Sequence, residues 1–144
     1  AGNEPGLSSA LEMLNTLVET SVAHGMPVHR IVLLGFSQGA CLTSEFVLRH
    51  PRRYGGAVLF SGGLIGPPDS TWDDVTGHYD AMPVFLGCSD IDGHIPKERV
   101  RDTAAAFRRI GASVRCTLYP GMGHLVNDDE ILELQHILDR ASVA

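Results

Sequence analysis

The chain alternates between short runs that are apolar throughout and longer segments whose apolar residues recur every three or four positions. Ile31-Val32-Leu33-Leu34, Gly56-Ala57-Val58-Leu59-Phe60-Ser61-Gly62 and Met82-Pro83-Val84-Phe85-Leu86-Gly87-Cys88 are of the first kind, and Val114 to Tyr119, interrupted by Arg115 and Thr117, reads as a fourth strand. Unbroken apolarity over so few residues suits strands covered on both faces, as in the middle of a parallel sheet. The second kind comprises 7–24 (Leu7, Leu11, Leu14, Val18), 40–50, a segment after Pro96 (Val100, Ala104, Phe107) and a segment after Asn127 (Ile131, Leu134, Leu138). These predict helices that each turn one stripe to the core. Ser9 with Glu12 fits a capping box for the first, and Gly25 with Pro27 ends it. The second stops before Pro51, and Arg52-Arg53-Tyr54-Gly55 make the return turn. Pro96 suits the first turn of the third, with Gly111 as its stop, and Asn127 caps the fourth ahead of Asp128, Asp129 and Glu130. Strand, helix and strand in so short a span means a parallel crossover, and hence an α/β sheet with flanking helices.

One connection is long. Residues 61–81 are rich in Gly, Pro and Asp, and a loop of that length in a compact domain is functional or flexible. A short helix over 69–75 fits part of it. Leu64, Ile65, Trp72 and Tyr79 give it an apolar side able to wall a substrate pocket.

The chemistry is densest after the first strand. Gly35-Phe36-Ser37-Gln38-Gly39 matches G-x-S-x-G between a predicted strand and a predicted helix, the context of a nucleophile elbow. A serine on so tight a turn sits in strained backbone, and the glycines leave room for the helix to pass close to the strand. The turn lifts the Ser37 hydroxyl off the carboxyl edge of the sheet and sets the Gln38 N–H at a helix N-terminus, facing a developing oxyanion.

An activated serine needs a base and the base an orienting carboxylate, here in the chain order Ser, Asp, His, each from a loop at the carboxyl end of a strand. His124, in Pro120-Gly121-Met122-Gly123-His124, follows the fourth strand and is the expected base. His24, His29, His50 and His136 lie in or beside helices or turns away from that edge, while His78 and His94 are able to approach it. Ser89-Asp90-Ile91-Asp92-Gly93-His94 offers two acids. Asp90, nearer the strand end, is preferred, with Asp92 as the alternative. The same segment does not continue as a calcium loop, since Arg101 stands where the twelfth-position glutamate belongs. No metal is expected. Leu64, Trp72 and Met122 are the expected substrate contacts.

Composition narrows the alternatives. At 144 residues the chain is at most one domain, able to bury a core of its own. A net charge of −6 gives no support to a nucleic-acid partner, which calls for a basic face. No apolar run approaches the ~20 residues of a transmembrane helix. Three cysteines, Cys41, Cys88 and Cys116, without C-x-x-C spacing argue against a disulfide framework or a zinc site. They read as reduced core thiols, which fits a cytoplasmic location.

Gly-Phe-Ser-Gln-Gly at 35–39, Asp-x-Asp-x-His-Ile-Pro at 90–96 and Pro-Gly-Met-Gly-His at 120–124 together resemble the phospholipase/carboxylesterase family of α/β-hydrolases, which includes carboxylesterases and acyl-protein thioesterases. The resemblance covers essentially the whole chain. It implies an α/β-hydrolase fold, a triad of Ser37, Asp90 and His124, no cofactor, and hydrolysis of carboxylic esters or thioesters of modest size. Counting from the strand aligns Asp90 with the family acid, and counting back from Pro96 aligns Asp92. Family members carry further strands and an His-Gly-x-Gly-type loop ahead of a helix like 7–24, so the resemblance also implies a carboxy-terminal portion lacking the first strands and one oxyanion donor. Apolar edges would then be exposed unless a second copy or a partner chain covers them. The competing reading is an α/β-hydrolase-fold binding protein without catalysis.

Overall fold

The computed structural model describes residues 2–143. Four strands, β1 (Val32–Phe36), β2 (Gly56–Phe60), β3 (Pro83–Ser89) and β4 (Ser113–Tyr119), form one parallel sheet in the order β1-β2-β3-β4. Four helices accompany them: α1 (Gly6–Ala23), α2 (Gln38–Arg49), α3 (Lys97–Arg109) and α4 (Asp128–Val143). Val32 pairs with Gly56, Ala57 with Val84 and Pro83 with Ser113, so all four strands end on one edge. The residue after each of the first three strands donates its N–H across that edge: Ser37 to the Phe60 carbonyl (2.9 Å), Ser61 to Gly87 (2.7 Å) and Asp90 to Tyr119 (3.0 Å).

Period-two alternation divides the strands between two cores. Leu33, Ala57, Leu59, Val84, Leu86 and Cys88 face α1, α2 and α3, where they meet Leu11, Val18, Phe46, Val100, Ala104 and Phe107. Val58, Phe60 and Phe85 face α4 and pack against Ile137, with Leu134 and Val126 at the margin. Both faces of β2 and β3 are therefore buried, as continuous apolar runs require. Strand β1 is covered fully on one face; on the other only Val32 packs against the α4 side, and Leu34 and Phe36 are 51% and 43% exposed.

Three expectations are corrected. The first helix begins at Gly6 with no side-chain cap, so Ser9 lies inside the helix and donates its N–H to the Pro5 carbonyl (3.1 Å) rather than forming a box with Glu12. Residues 69–75 form turns, not a helix. On α4 the buried residues are Glu130, Ile137 and Ala141, whereas Ile131 and Leu138 are half exposed. The rotation of α4 is set at its start, where Asn127 Oδ1 accepts the Glu130 N–H (2.8 Å) and Glu130 Oε1 accepts the Asn127 N–H (3.1 Å). That reciprocal cap turns Glu130 inward and carries Ile131 outward.

The long loop 61–81 is tied down along its length. Arg99 donates to the carbonyls of Leu64, Gly66 and Pro67, and Arg109 to those of Trp72 and Val75. Glu45 accepts the Ile65 N–H (2.7 Å), and the buried Tyr79 hydroxyl donates to the Val47 carbonyl (2.7 Å).

Candidate active site

Ser37 joins β1 to α2 with φ 56° and ψ −120°, a left-handed conformation that costs a non-glycine residue about 1–3 kcal/mol. Close packing enforces it. A Cβ on Gly35 would lie 2.2 Å from the Gly39 carbonyl oxygen, and a Cβ on Gly62 would lie 2.5 Å from the Ala40 Cβ and 2.7 Å from the Ser37 carbonyl oxygen. Only glycine lets strand, helix and the end of β2 approach this closely. Gly39 has nothing within 4 Å of its would-be Cβ, so it gives no such clearance.

The turn brings Ser37 Oγ 2.8 Å from His124 Nε2, and His124 Nδ1 stands 2.6 Å from Asp92 Oδ2. The imidazole is flanked by Phe36 and His94, with ring centroids 5.1 and 4.7 Å away. The Asp92 side chain has no exposure. Its Oδ1 accepts the N–H groups of His94 (2.8 Å) and Ile95 (3.0 Å). Burial alone would raise the Asp92 carboxyl; the bonds from His124 and from the two backbone N–H groups outweigh it and hold the carboxyl below its ordinary range. Burial, then the Asp92 charge, push the neighbouring Cys88 thiol up to about 12, so it remains a neutral, weak donor to Asp92 Oδ2 at 3.8 Å.

Asp92, not Asp90, therefore meets His124. Asp90 continues the edge of the sheet by pairing with Tyr119, and its Oδ1 accepts the Gly121 N–H (2.9 Å). It laces the two loops together two residues short of the place where the chain turns back toward the imidazole.

The expected substrate contacts are also redistributed. The cleft beside Ser37, about 670 Å³, is lined by Leu7, Ala10, Gln38, Cys41, Leu42, Ile65 and Ile95 among others. Leu64 is buried in the core and lines only the adjoining cavity, which shares Cys41, Ile65 and Ile95 with that cleft. Trp72 stacks under the Arg99 guanidinium (5.0 Å), held there by loop 61–81 and away from Ser37. Met122 accepts a bond from Asn127 Nδ2 and does not line the cleft. His78 turns away to Gly111 and the Asp80 N–H.

Sequence reasoning missed Ser89. It is the fully buried last residue of β3, and its Oγ accepts the N–H of Gly123 (3.0 Å) from the His124 loop and of Ile91 (3.2 Å) from its own. A serine closing an otherwise apolar strand was the signal. Among the described residues no group of three potential metal ligands comes together, and no helix is long and apolar enough to cross a membrane.

A parallel sheet with α2 and α3 on one face, α4 on the other and a strained serine between strand and helix is the architecture of an α/β-hydrolase. Residues 2–142 match the phospholipase/carboxylesterase family, and the chain belongs to it. It is 32% identical over 142 residues to acyl-protein thioesterase 1 of Eremothecium gossypii, covering 93% of this chain and 59% of that protein. A probable carboxylesterase of Oryza sativa subsp. japonica is 28% identical over 134 residues, covering 92% of this chain and 50% of its own length. The crystal structure of a phospholipase/carboxylesterase from Dyadobacter fermentans superposes with a TM-score of 0.87 at 36% identity, covering 97% of this chain and 65% of that one. The chain thus spans between half and two thirds of the length of these relatives.

Proposed function

We propose that this chain supplies the nucleophile, base and acid of a serine hydrolase that cleaves carboxylic esters of small or medium acyl chains. The observation that carries the reading is the continuous set of hydrogen bonds from Ser37 Oγ through both imidazole nitrogens to Asp92. Asp92 holds the His124 proton on Nδ1 and leaves Nε2 as the acceptor for the serine proton. As Ser37 Oγ bonds to the ester carbonyl carbon, its proton passes to Nε2. The carbonyl oxygen becomes an oxyanion, for which the Gln38 N–H, free in the first turn of α2 beside the cleft, serves as a donor. Collapse of the tetrahedral adduct breaks the bond to the leaving alcohol, which takes the proton from Nε2. Water then attacks the acyl-serine by the same route and releases the carboxylic acid. Leu7, Leu42, Ile65 and Ile95 give the cleft an apolar wall suited to the acyl group.

A thioester is the second reading, favoured by the likeness to acyl-protein thioesterase 1. A thiolate leaves more readily than an alkoxide, so the same residues serve both. Steady-state kinetics of the intact protein on matched p-nitrophenyl esters and acyl thioesters from two to sixteen carbons separate the two. The ester reading expects the highest kcat/KM on short or medium esters. A strong preference for long-chain thioesters would replace it with the second, and no turnover of either series would favour a binding role.

A further inference from the structure

Glu130, the third residue of α4, is fully buried and takes no part in the proton path from Ser37 to Asp92. One carboxyl oxygen, Oε1, accepts the Asn127 N–H at 3.1 Å. The other, Oε2, has no hydrogen-bond partner. The group lies directly on β3 at Gly87, where a Cβ would come within 2.2 Å of Oε2 and 2.9 Å of the carboxyl carbon. Gly87 therefore makes the space that the carboxyl fills.

A buried carboxyl with an unpartnered oxygen is a poor device for stability, because its desolvation is only half repaid by hydrogen bonds. Its position gives it another task. Asn127 accepts the Glu130 N–H and donates from Nδ2 to Met122 Sδ at 3.1 Å, so Glu130 is the root of a bridge that closes over the residues on either side of His124. The far side of the same loop is tied to the end of β3 through Ser89 and Asp90. The loop is thus fixed relative to β3 twice: at residues 89 and 90 by hydrogen bonds, and at Gly87 by the bulk of the Glu130 carboxyl.

We propose that Glu130 is a positioning residue for His124: seated on Gly87, it holds the Met122–Asn127 loop so that the imidazole meets Ser37 and Asp92 together. The inference rests on the serine-hydrolase reading above. The groups around the carboxyl are Cys88 on β3, Tyr119 on β4 and Asp129 on α4, none of them cationic. Burial raises the Glu130 carboxyl above its ordinary range, the Asn127 N–H offsets part of that, and Asp129 adds to it. The protonated form is the one that fits. Its contribution is complete at low pH and is lost as pH rises through the raised value, when a charge on Oε2 would have no donor to meet it. Ionisation as pH rises through that raised value should therefore loosen the loop and lower turnover.

The test compares Glu130→Ala and Glu130→Gln in the intact protein, with kcat normalised to active sites titrated by a fluorophosphonate. Glu130→Ala is expected to lose on the order of 10²-fold in kcat with little change in KM, the cost of an ångström-scale misplacement of a catalytic group. Glu130→Gln keeps an acceptor for the Asn127 N–H and cannot ionise. It should restore the turnover that Glu130→Ala loses and remove the decline that accompanies Glu130 ionisation in the wild type. Wild-type kcat per titrated site in Glu130→Ala overturns the proposal, as does a pH profile of kcat identical to that of the wild type in Glu130→Gln, the variant that decides if the alanine protein does not fold. If the wild type hydrolyses no ester or thioester and Ser37 takes no label, the hydrolase reading fails instead. Positioning is then read from the downfield proton resonance of the His124–Asp92 bond, expected to survive in Glu130→Gln and vanish in Glu130→Ala. Its persistence in the alanine variant would overturn the positioning role.

Discussion

The two halves of the candidate site stand on the same sheet edge but are held by different physics. Ser37 is fixed by the main chain and by the absence of side chains: a left-handed turn, with Gly35 and Gly62 admitting contacts that no Cβ would survive. Asp92 and His124 are fixed by side chains bonded to backbone: Ser89 and Asp90 hold the His124 loop, and the N–H groups of His94 and Ile95 hold Asp92. The first arrangement is rigid and tolerates no added atom. The second is a set of separate hydrogen bonds between side chains and backbone, spread over two loops.

The sharpest way to break this contrast is within the loops. Asp92→Asn should lower kcat on the order of 10⁴-fold, since an amide favours the wrong imidazole tautomer. Asp90→Asn keeps an acceptor for the Gly121 N–H and should lower it far less; a steady-state ester assay on both variants reads the difference. If Asp90→Asn proves the more damaging, the assignment of Asp92 fails.

At the elbow the comparison is between two glycines of one motif. Gly35→Ala forces a Cβ into the Gly39 carbonyl and should destabilise the fold by about 1–3 kcal/mol or more. Gly39→Ala meets open space within α2 and should be neutral or gain up to about 1 kcal/mol from helix propensity. Urea unfolding of the pair checks it, and equal losses would mean that the close approach is not what fixes Ser37.

Ser89→Ala removes the acceptor of two N–H groups, those of the exposed Ile91 and the half-buried Gly123. A loss of about 1 kcal/mol is expected, with reduced turnover because one of the two belongs to the His124 loop. Unchanged stability would show that the loops are held elsewhere.

The smallest effect concerns pH. The Asp92 carboxyl is held below its unfolded value, so its stabilisation is present above about pH 4 and lost as pH falls through the lower folded value. Asp92→Asn should therefore flatten the acid limb of a plot of unfolding free energy against pH. An acid limb as steep as that of the wild type would place the responsible carboxylate elsewhere.

The same contrast explains what was legible in the sequence. The strained turn at Ser37 was readable because its determinants lie within nine consecutive residues: an apolar strand, Gly35, Ser37 and the start of a helix. The partner of His124 was not, because the choice between Asp90 and Asp92 depends on a partner strand far along the chain. Asp90 donates to Tyr119 and extends the sheet edge, and only beyond it does the chain turn so that Asp92 caps the N–H groups of His94 and Ile95. The count back from Pro96 held that information, since an aspartate ahead of a helix start is placed to accept such N–H groups. The face of α4 was missed for a similar reason. Apolar periodicity alone fits a stripe through Ile131 and Leu138 as well as one through Ile137 and Ala141, and the reciprocal Asn127–Glu130 cap decides between them. The place of Trp72 was least legible, because it stacks on Arg99 of α3, a contact that no local pattern records.

The central claim is that Ser37 is a nucleophile activated by His124, and covalent labelling tests it most directly. The intact protein, treated with a fluorophosphonate and mapped by peptide mass spectrometry, should carry one adduct on Ser37. His124→Ala should slow its formation by orders of magnitude while leaving the fold intact by circular dichroism. An adduct on another residue, or labelling of Ser37 at the wild-type rate in His124→Ala, would contradict the account.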